Sequence, residues 1–183
     1  MMNHGTLENF RLPEACYTPA VRAIMKETQQ RFGLDEWRVV VLTNEIHGHL
    51  GIYSTLGAKM GCMAREYAAT AEEPHVLSFA GVVPPVSCFN DGLQISTGAT
   101  VGHGLISVAD EEEKRPEAVF RFGEKSFRMC LREEYARQIA CDIRSGVEQF
   151  GHMPAYWAYV RELAIRYWSE WDRHEIFSIE PLD

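Results

Sequence analysis

Three short runs rich in β-branched and aromatic residues follow one another between Leu105 and Leu131: Leu105 to Ala109, Ala118 to Phe122 and Ser126 to Leu131. The charged tip Asp110 to Arg115 joins the first pair, and Gly123-Glu124-Lys125 joins the second as a hairpin loop. Strands packed this closely in sequence exclude an all-helical fold. Helical patterns on both sides exclude an all-β one.

The pattern upstream is mainly helical. A helix is expected from Pro19 to about Phe32, capped by Thr18 or Tyr17, with Val21, Ile24, Met25 and Phe32 at helical spacing and Gly33 as its stop. Trp37 to Ile46 reads either way, because Val39-Val40-Val41-Leu42 suits a strand while the order of polar and apolar residues permits a helix. Tyr53 to Ala69 reads as a helix with the stripe Leu56, Met60, Met63 and Tyr67; Gly57 and Gly61 leave a groove for a second helix or a ligand. His75 to Val83 is expected as a buried strand stopped by Pro84-Pro85, and Val86 to Ser96 as a short helix with Ser87 as cap. Thr97 to Gly104 is a glycine-punctuated loop. Helices are expected at Glu133 to Phe150 and Ala155 to Trp171, broken at Gly151-His152-Met153-Pro154, and a last strand at Glu175 to Ile179. Met1 to Cys16 reads as an extended arm. The dense aromatics from Tyr156 to Trp171 form part of the core or a dimer face.

At 183 residues, 46% apolar and 24% charged, the chain suits one globular domain over 1–183, with a core from about 17 to 150 and a helical extension from 151 to 183. The net charge of −8 argues against nucleic acid and against an anionic membrane surface as partners. No run approaches the ~20 apolar residues of a membrane span, and Met1 to Pro13 lacks the features of a secretory leader. Five cysteines without regular spacing read as reduced thiols, so a cytoplasmic location is expected.

Two of the seven histidines, His47 and His49, flank Gly48, and Cys88 and Asp91 stand three apart in a second segment. Imidazole, thiolate and carboxylate are the side chains that hold late first-row metals. The two imidazoles can serve one ion only on an extended or irregular backbone, which Gly48 allows. Cys88 falls in the expected first turn of a helix, where amides and dipole favour thiolate. On residue type alone, each of these side chains can equally be an ordinary core or surface residue.

The segments His47-Gly48-His49-Leu50, Cys88-Phe89-Asn90-Asp91-Gly92-Leu93-Gln94-Ile95 and Thr97-Gly98-Ala99-Thr100-Val101-Gly102-His103-Gly104 together resemble the FmdE-like family, associated with formylmethanofuran dehydrogenase. Its patterns are His-Gly-His-Leu-Cys-Pro-Gly, Cys-x-x-Asp-Ala-Ile-Gln and Thr-Gly-Cys-Thr-x-Gly-Lys-Gly, and Asp110 falls at the family's aspartate after the next strand. The likeness runs over roughly residues 40–131. Gly51 stands at the family's first cysteine, Ile52 at its proline, Ala99 at its loop cysteine and His103 at its loop lysine.

The resemblance implies a mixed α/β (α+β) domain with an α-β-α-β-β-β core, often a homodimer, with a bound transition metal. The expected ligands are His47, His49 and Cys88, with Asp91 either a further ligand or the group that orients an imidazole. Two imidazoles and one thiolate suit zinc, with nickel or iron(II) as alternatives, and leave one position open for water or a small-molecule ligand. Glu45 is a candidate general base, or a solvated residue. His103 is a candidate third or fourth metal ligand or acid–base group, or a loop-surface histidine. If the protein is an enzyme, hydrolytic or lyase chemistry is expected before redox chemistry. The alternatives are a metal-delivery or accessory protein, and a structural relative whose site has decayed.

Overall fold

The computed structural model describes residues 12–151 and 153–182, so the arm before Leu12 and His152 lie outside it. Three helices come first: α1 (Pro19–Phe32), α2 (Leu34–His47) and α3 (Ile52–Ala68). The Thr18 hydroxyl caps α1 by accepting from the Val21 amide, as its position before Pro19 predicts.

The ambiguous segment is helical. In α2, Trp37, Val40, Val41 and Asn44 are buried at a helical repeat, and glycines with positive φ, Gly33 and Gly48, bound it at each end. Its β-branched run is held by packing: Trp37 stacks on Trp168 with centroids 4.4 Å apart, and Val40, Val41 and Ala58 complete that cluster.

The sheet begins at β1 (Pro74–Ser78), which stops short of the expected Val83 because the chain turns at Gly81, where φ is 69°. A 3₁₀ turn, Val86–Cys88, leads into α4 (Phe89–Thr97). Ser87 lies within that turn and caps nothing; Cys88 is the boundary residue. Then follow β2 (Ile106–Val108), β3 (Glu117–Phe122), β4 (Lys125–Leu131), α5 (Glu133–Phe150), α6 (Pro154–Glu170), the short α7 (Arg173–Ile176) and β5 (Phe177–Leu182). The expected last strand starts later, after that extra turn of helix.

The order α3-β1-α4-β2-β3-β4 is the α-β-α-β-β-β core. The sheet runs β2-β1-β3-β4-β5, with β1 and β2 parallel and every other pair antiparallel. Since β5 pairs with β4, placing Phe177 against Leu131, the C-terminal segment is part of the sheet and not an appendage.

Helix α3 is the centre of the molecule. Twelve of its 17 residues are buried, which is too many for a surface helix and means that it is packed on several sides. Leu56, Met60 and Met63 meet Phe120, Phe127 and Met129 of the sheet and Leu163 and Tyr167 of α6 in one core. Of the C-terminal aromatics, Tyr167 and Trp168 are buried in the core, Tyr159 and Trp171 pack against it, with Tyr167 stacked on Trp171 at 3.9 Å, and Trp157 is exposed. Among the described residues, no helix is long and apolar enough to cross a membrane.

Candidate functional site

Three glycines decide where the candidate residues meet. A methyl group on Gly57 of α3 would run into the carbonyl of Phe89, and one on Gly92 of α4 into the backbone of Ser54 and Ala58. Gly61 faces Ser96 and Thr97 in the same way. The groove read from Gly57 and Gly61 is therefore filled by α4, backbone against backbone. This crossing carries the first turn of α4, with Cys88 and Asp91, to the C-terminal end of α2, with His47.

Asn44 fixes that end. Its amide donates to the Val40 carbonyl (2.9 Å) and the Thr55 hydroxyl (3.2 Å), and its oxygen accepts from the Gly51 amide (2.9 Å) and the Ser54 hydroxyl (2.8 Å). The link His47-Gly48-His49-Leu50 is thus clamped at both ends. Gly48, at φ 84°, closes α2 in the left-handed conformation, which releases His49 from the helix. The irregular backbone required for the two imidazoles to approach is present, and their rings lie 4.3 Å apart.

His47 Nδ1 lies 2.7 Å from Asp91 Oδ2. An ionised carboxylate only accepts, so this contact calls for a ring proton on Nδ1; the neutral tautomer that meets it carries its lone pair on Nε2. His47 Nε2 is buried and, among the described residues, has no hydrogen-bond partner. His47, Cys88 and Asp91 line one cleft of about 390 Å³, together with Ser87, Gln94 and the apolar Val82, Val101 and Val108. Asn90 ties α4 to β1 beside it, accepting from Ser78 at 2.5 Å and donating to the Gly81 carbonyl at 2.9 Å. Burial and the Asp91 carboxylate push the Cys88 thiol above its ordinary range. The depressed thiol expected at a helix start is not found, because Cys88 is half-buried beside an anion of its own helix.

The other candidates lie elsewhere. His49 and Glu45 line a second cavity between α1, α2 and α6, also lined by Arg161. Burial, with the neighbouring His47 and Arg161, lowers the pKa of His49 below that of a free imidazole. His103 is exposed and lines neither cavity; its loop neighbour Val101 lines the cleft with Cys88. His75 is exposed on β1, and His174 bonds Asp172 and Glu66. Among the described residues, no three His, Cys, Asp or Glu side chains converge closely enough to enclose a metal ion.

The two positions where family cysteines are absent differ. Ala99 is fully buried in the core. A Cβ on Gly51 would lie 3.4 Å from His47 Nε2, so that position borders the unpartnered nitrogen. Asn44 and Asn90 are the positioning residues that sequence reading missed. The signal was a polar residue at a buried helical position for Asn44, and nothing local for Asn90.

A probable S-adenosyl-L-methionine-binding protein of Archaeoglobus fulgidus is 27% identical over 104 residues, which is 55% of this chain. The chain spans only 28% of that relative's length. The family described as FmdE, molybdenum formylmethanofuran dehydrogenase operon, matches residues 46–178, which takes in both histidines, α3, α4 and the sheet through the first residues of β5. With the crossing of α3 and α4 and the pairing of His47 with Asp91 already in place, and a match over well more than half of its length, the chain belongs to the FmdE family.

Proposed function

We propose that the cleft between α2 and α4 is a transition-metal site that presents a small-molecule ligand at an open coordination position. The observation that carries this is His47, whose Nδ1 is held by Asp91 at 2.7 Å while its buried Nε2 has no partner among the described residues. A carboxylate–imidazole pair of this kind orients a histidine and makes it a stronger metal ligand. His47 would bind through Nε2, Cys88 would supply a thiolate from the same cleft, and His49 would turn its ring from the neighbouring position. Zinc suits this donor set, with nickel or iron(II) next. When bound, the metal would act as a Lewis acid. The chain's own part is to fix the imidazole, through Asp91, and to shape the cleft with Val82, Val101 and Val108.

The second reading is a metal-delivery or accessory protein. It is favoured by exposure: His49 lies at the surface, and the Asp91 side chain is 37% exposed. Both readings extend to a homodimer, checked by light scattering, and to a cytoplasmic location, checked by cell fractionation.

Protein purified without an affinity tag should carry about one metal ion per chain by elemental analysis. His47→Ala and Cys88→Ala should each lose it. Exchange with a chelator within minutes would select the delivery role, and slow exchange the ligand-binding one. Protein that stays metal-free after supplementation with zinc, nickel and iron(II) would refute both and identify a decayed site. The relative's name makes S-adenosyl-L-methionine a first ligand to titrate against the loaded protein.

A further inference from the structure

The second cavity is the larger of the two, about 840 Å³ against about 390 Å³. That lies within the roughly 300–1,000 Å³ of small-molecule sites. Val40 and Val41 of α2 and Ile165 and Trp168 of α6 give it an apolar wall. Glu45, Arg161 and Glu162 also line it, and among the described residues none of the three takes part in an ion pair. All three are exposed to solvent at the rim of the cavity. Trp168 is only 1% exposed, and among the described residues its indole N–H has no hydrogen-bond partner.

One guanidinium beside two carboxylates suits neither a plain anion nor a plain cation, since each meets a like charge. A molecule carrying both charges can meet the guanidinium and one of the carboxylates at once. The geometry points to a binding site for a small amphipathic zwitterion of the α-amino-acid type. Its carboxylate lies on Arg161, its ammonium on Glu45 or Glu162, and its apolar or aromatic part against the wall formed by Val40, Ile165 and Trp168. The site needs no metal. It does border the other cleft, because His49 lines this cavity and its ring lies 4.3 Å from that of His47.

The test is a titration of the full chain with L-tryptophan, L-tryptophanamide and N-acetyl-L-tryptophan, followed by two-dimensional NMR. The free amino acid should bind about tenfold more tightly than either blocked form, as expected for loss of one charged hydrogen-bonded contact. R161Q should weaken L-tryptophan by a similar factor and leave the amide unchanged. The double variant E45Q/E162Q should weaken L-tryptophan and leave the N-acetyl form unchanged. The same affinities should be measured after chelator treatment and in H47A, which separates this site from the metal reading. Equal binding of all three probes, no binding at about 10 mM, or an R161Q variant that behaves as wild type would each overturn the assignment.

Discussion

Asn44 uses its full hydrogen-bonding capacity, two donors and an oxygen that accepts twice, to join the last turn of α2 to the first of α3. Asn44→Ala would strand the Gly51 amide in a buried setting. It is expected to cost about 2–3 kcal/mol in urea unfolding and to weaken metal binding as the His47–His49 link loosens. Asp91→Asn keeps the shape but replaces a charged acceptor with a neutral one, and should lower metal affinity about 10- to 100-fold. Gly51→Cys tests the same nitrogen from the other side. Its backbone, φ −117° and ψ 151°, suits any residue, and the added Cβ would stand 3.4 Å from His47 Nε2 and 2.7 Å from the Ser54 hydroxyl, which must rotate away. The variant should bind zinc at least about tenfold more tightly, as measured by chelator competition. Unchanged affinity would place the ion away from Nε2.

The crossing of α3 and α4 is the element on which the cleft depends. Alanine is intrinsically better than glycine in a helix by ~1 kcal/mol. Gly57→Ala and Gly92→Ala should nevertheless destabilise by about 2–3 kcal/mol, because each methyl meets backbone that cannot turn aside. Gly61→Ala meets side chains of Ser96 and Thr97 and should cost less. Thermal melts that rank Gly61→Ala as the worst of the three would contradict this account. A different joint holds α5 to α6. There Asp142 pairs with Arg166 and accepts from Tyr167 at 2.5 Å, and its carbonyl accepts from Tyr159 at 3.0 Å.

At the scale of the whole molecule, a chain of charges sews the C-terminal turn to the helical half. Lys59 is fully buried and donates to Glu36 at 2.7 Å and to the Trp171 carbonyl at 2.9 Å, while Arg173 reaches Glu36 at 2.8 Å and Glu66 at 3.0 Å. Lys59→Met removes one partner of a buried set and should cost about 3 kcal/mol.

This network and the Asp142 joint together predict the response to acid. Burial pushes the carboxyls of Glu66, Asp142 and Asp172 up, but their hydrogen bonds and neighbouring cations prevail and hold each below its ordinary value. A depressed folded pKa means stability that is present above the unfolded value, about 4, and lost as pH falls through the folded one. Urea midpoints should stay level from neutral pH down to about 5 and then fall. Asp142→Asn should flatten part of that fall, and an unaltered slope in this variant would contradict its share.

What was legible in the sequence was local. Thr18 before Pro19 set the start of α1, and Gly123-Glu124-Lys125 set the hairpin of β3 and β4, because caps and turns are satisfied within a few residues. The resemblance over three separated segments identified the family and, through Asp91, a partner for an imidazole. The run Val39-Val40-Val41-Leu42 could not declare itself, because its helical state rests on Trp168, far along the chain. Nor could the sequence say that His47 and His49, two residues apart, open onto different cavities. A single left-handed glycine turns the chain between them, and the walls they meet are built by α4 on one side and α6 on the other. Residue types fix which chemistry is available, since that belongs to the side chains. Which of them share a cavity depends on helices crossing at glycine contacts distant in sequence, and only packing decides that.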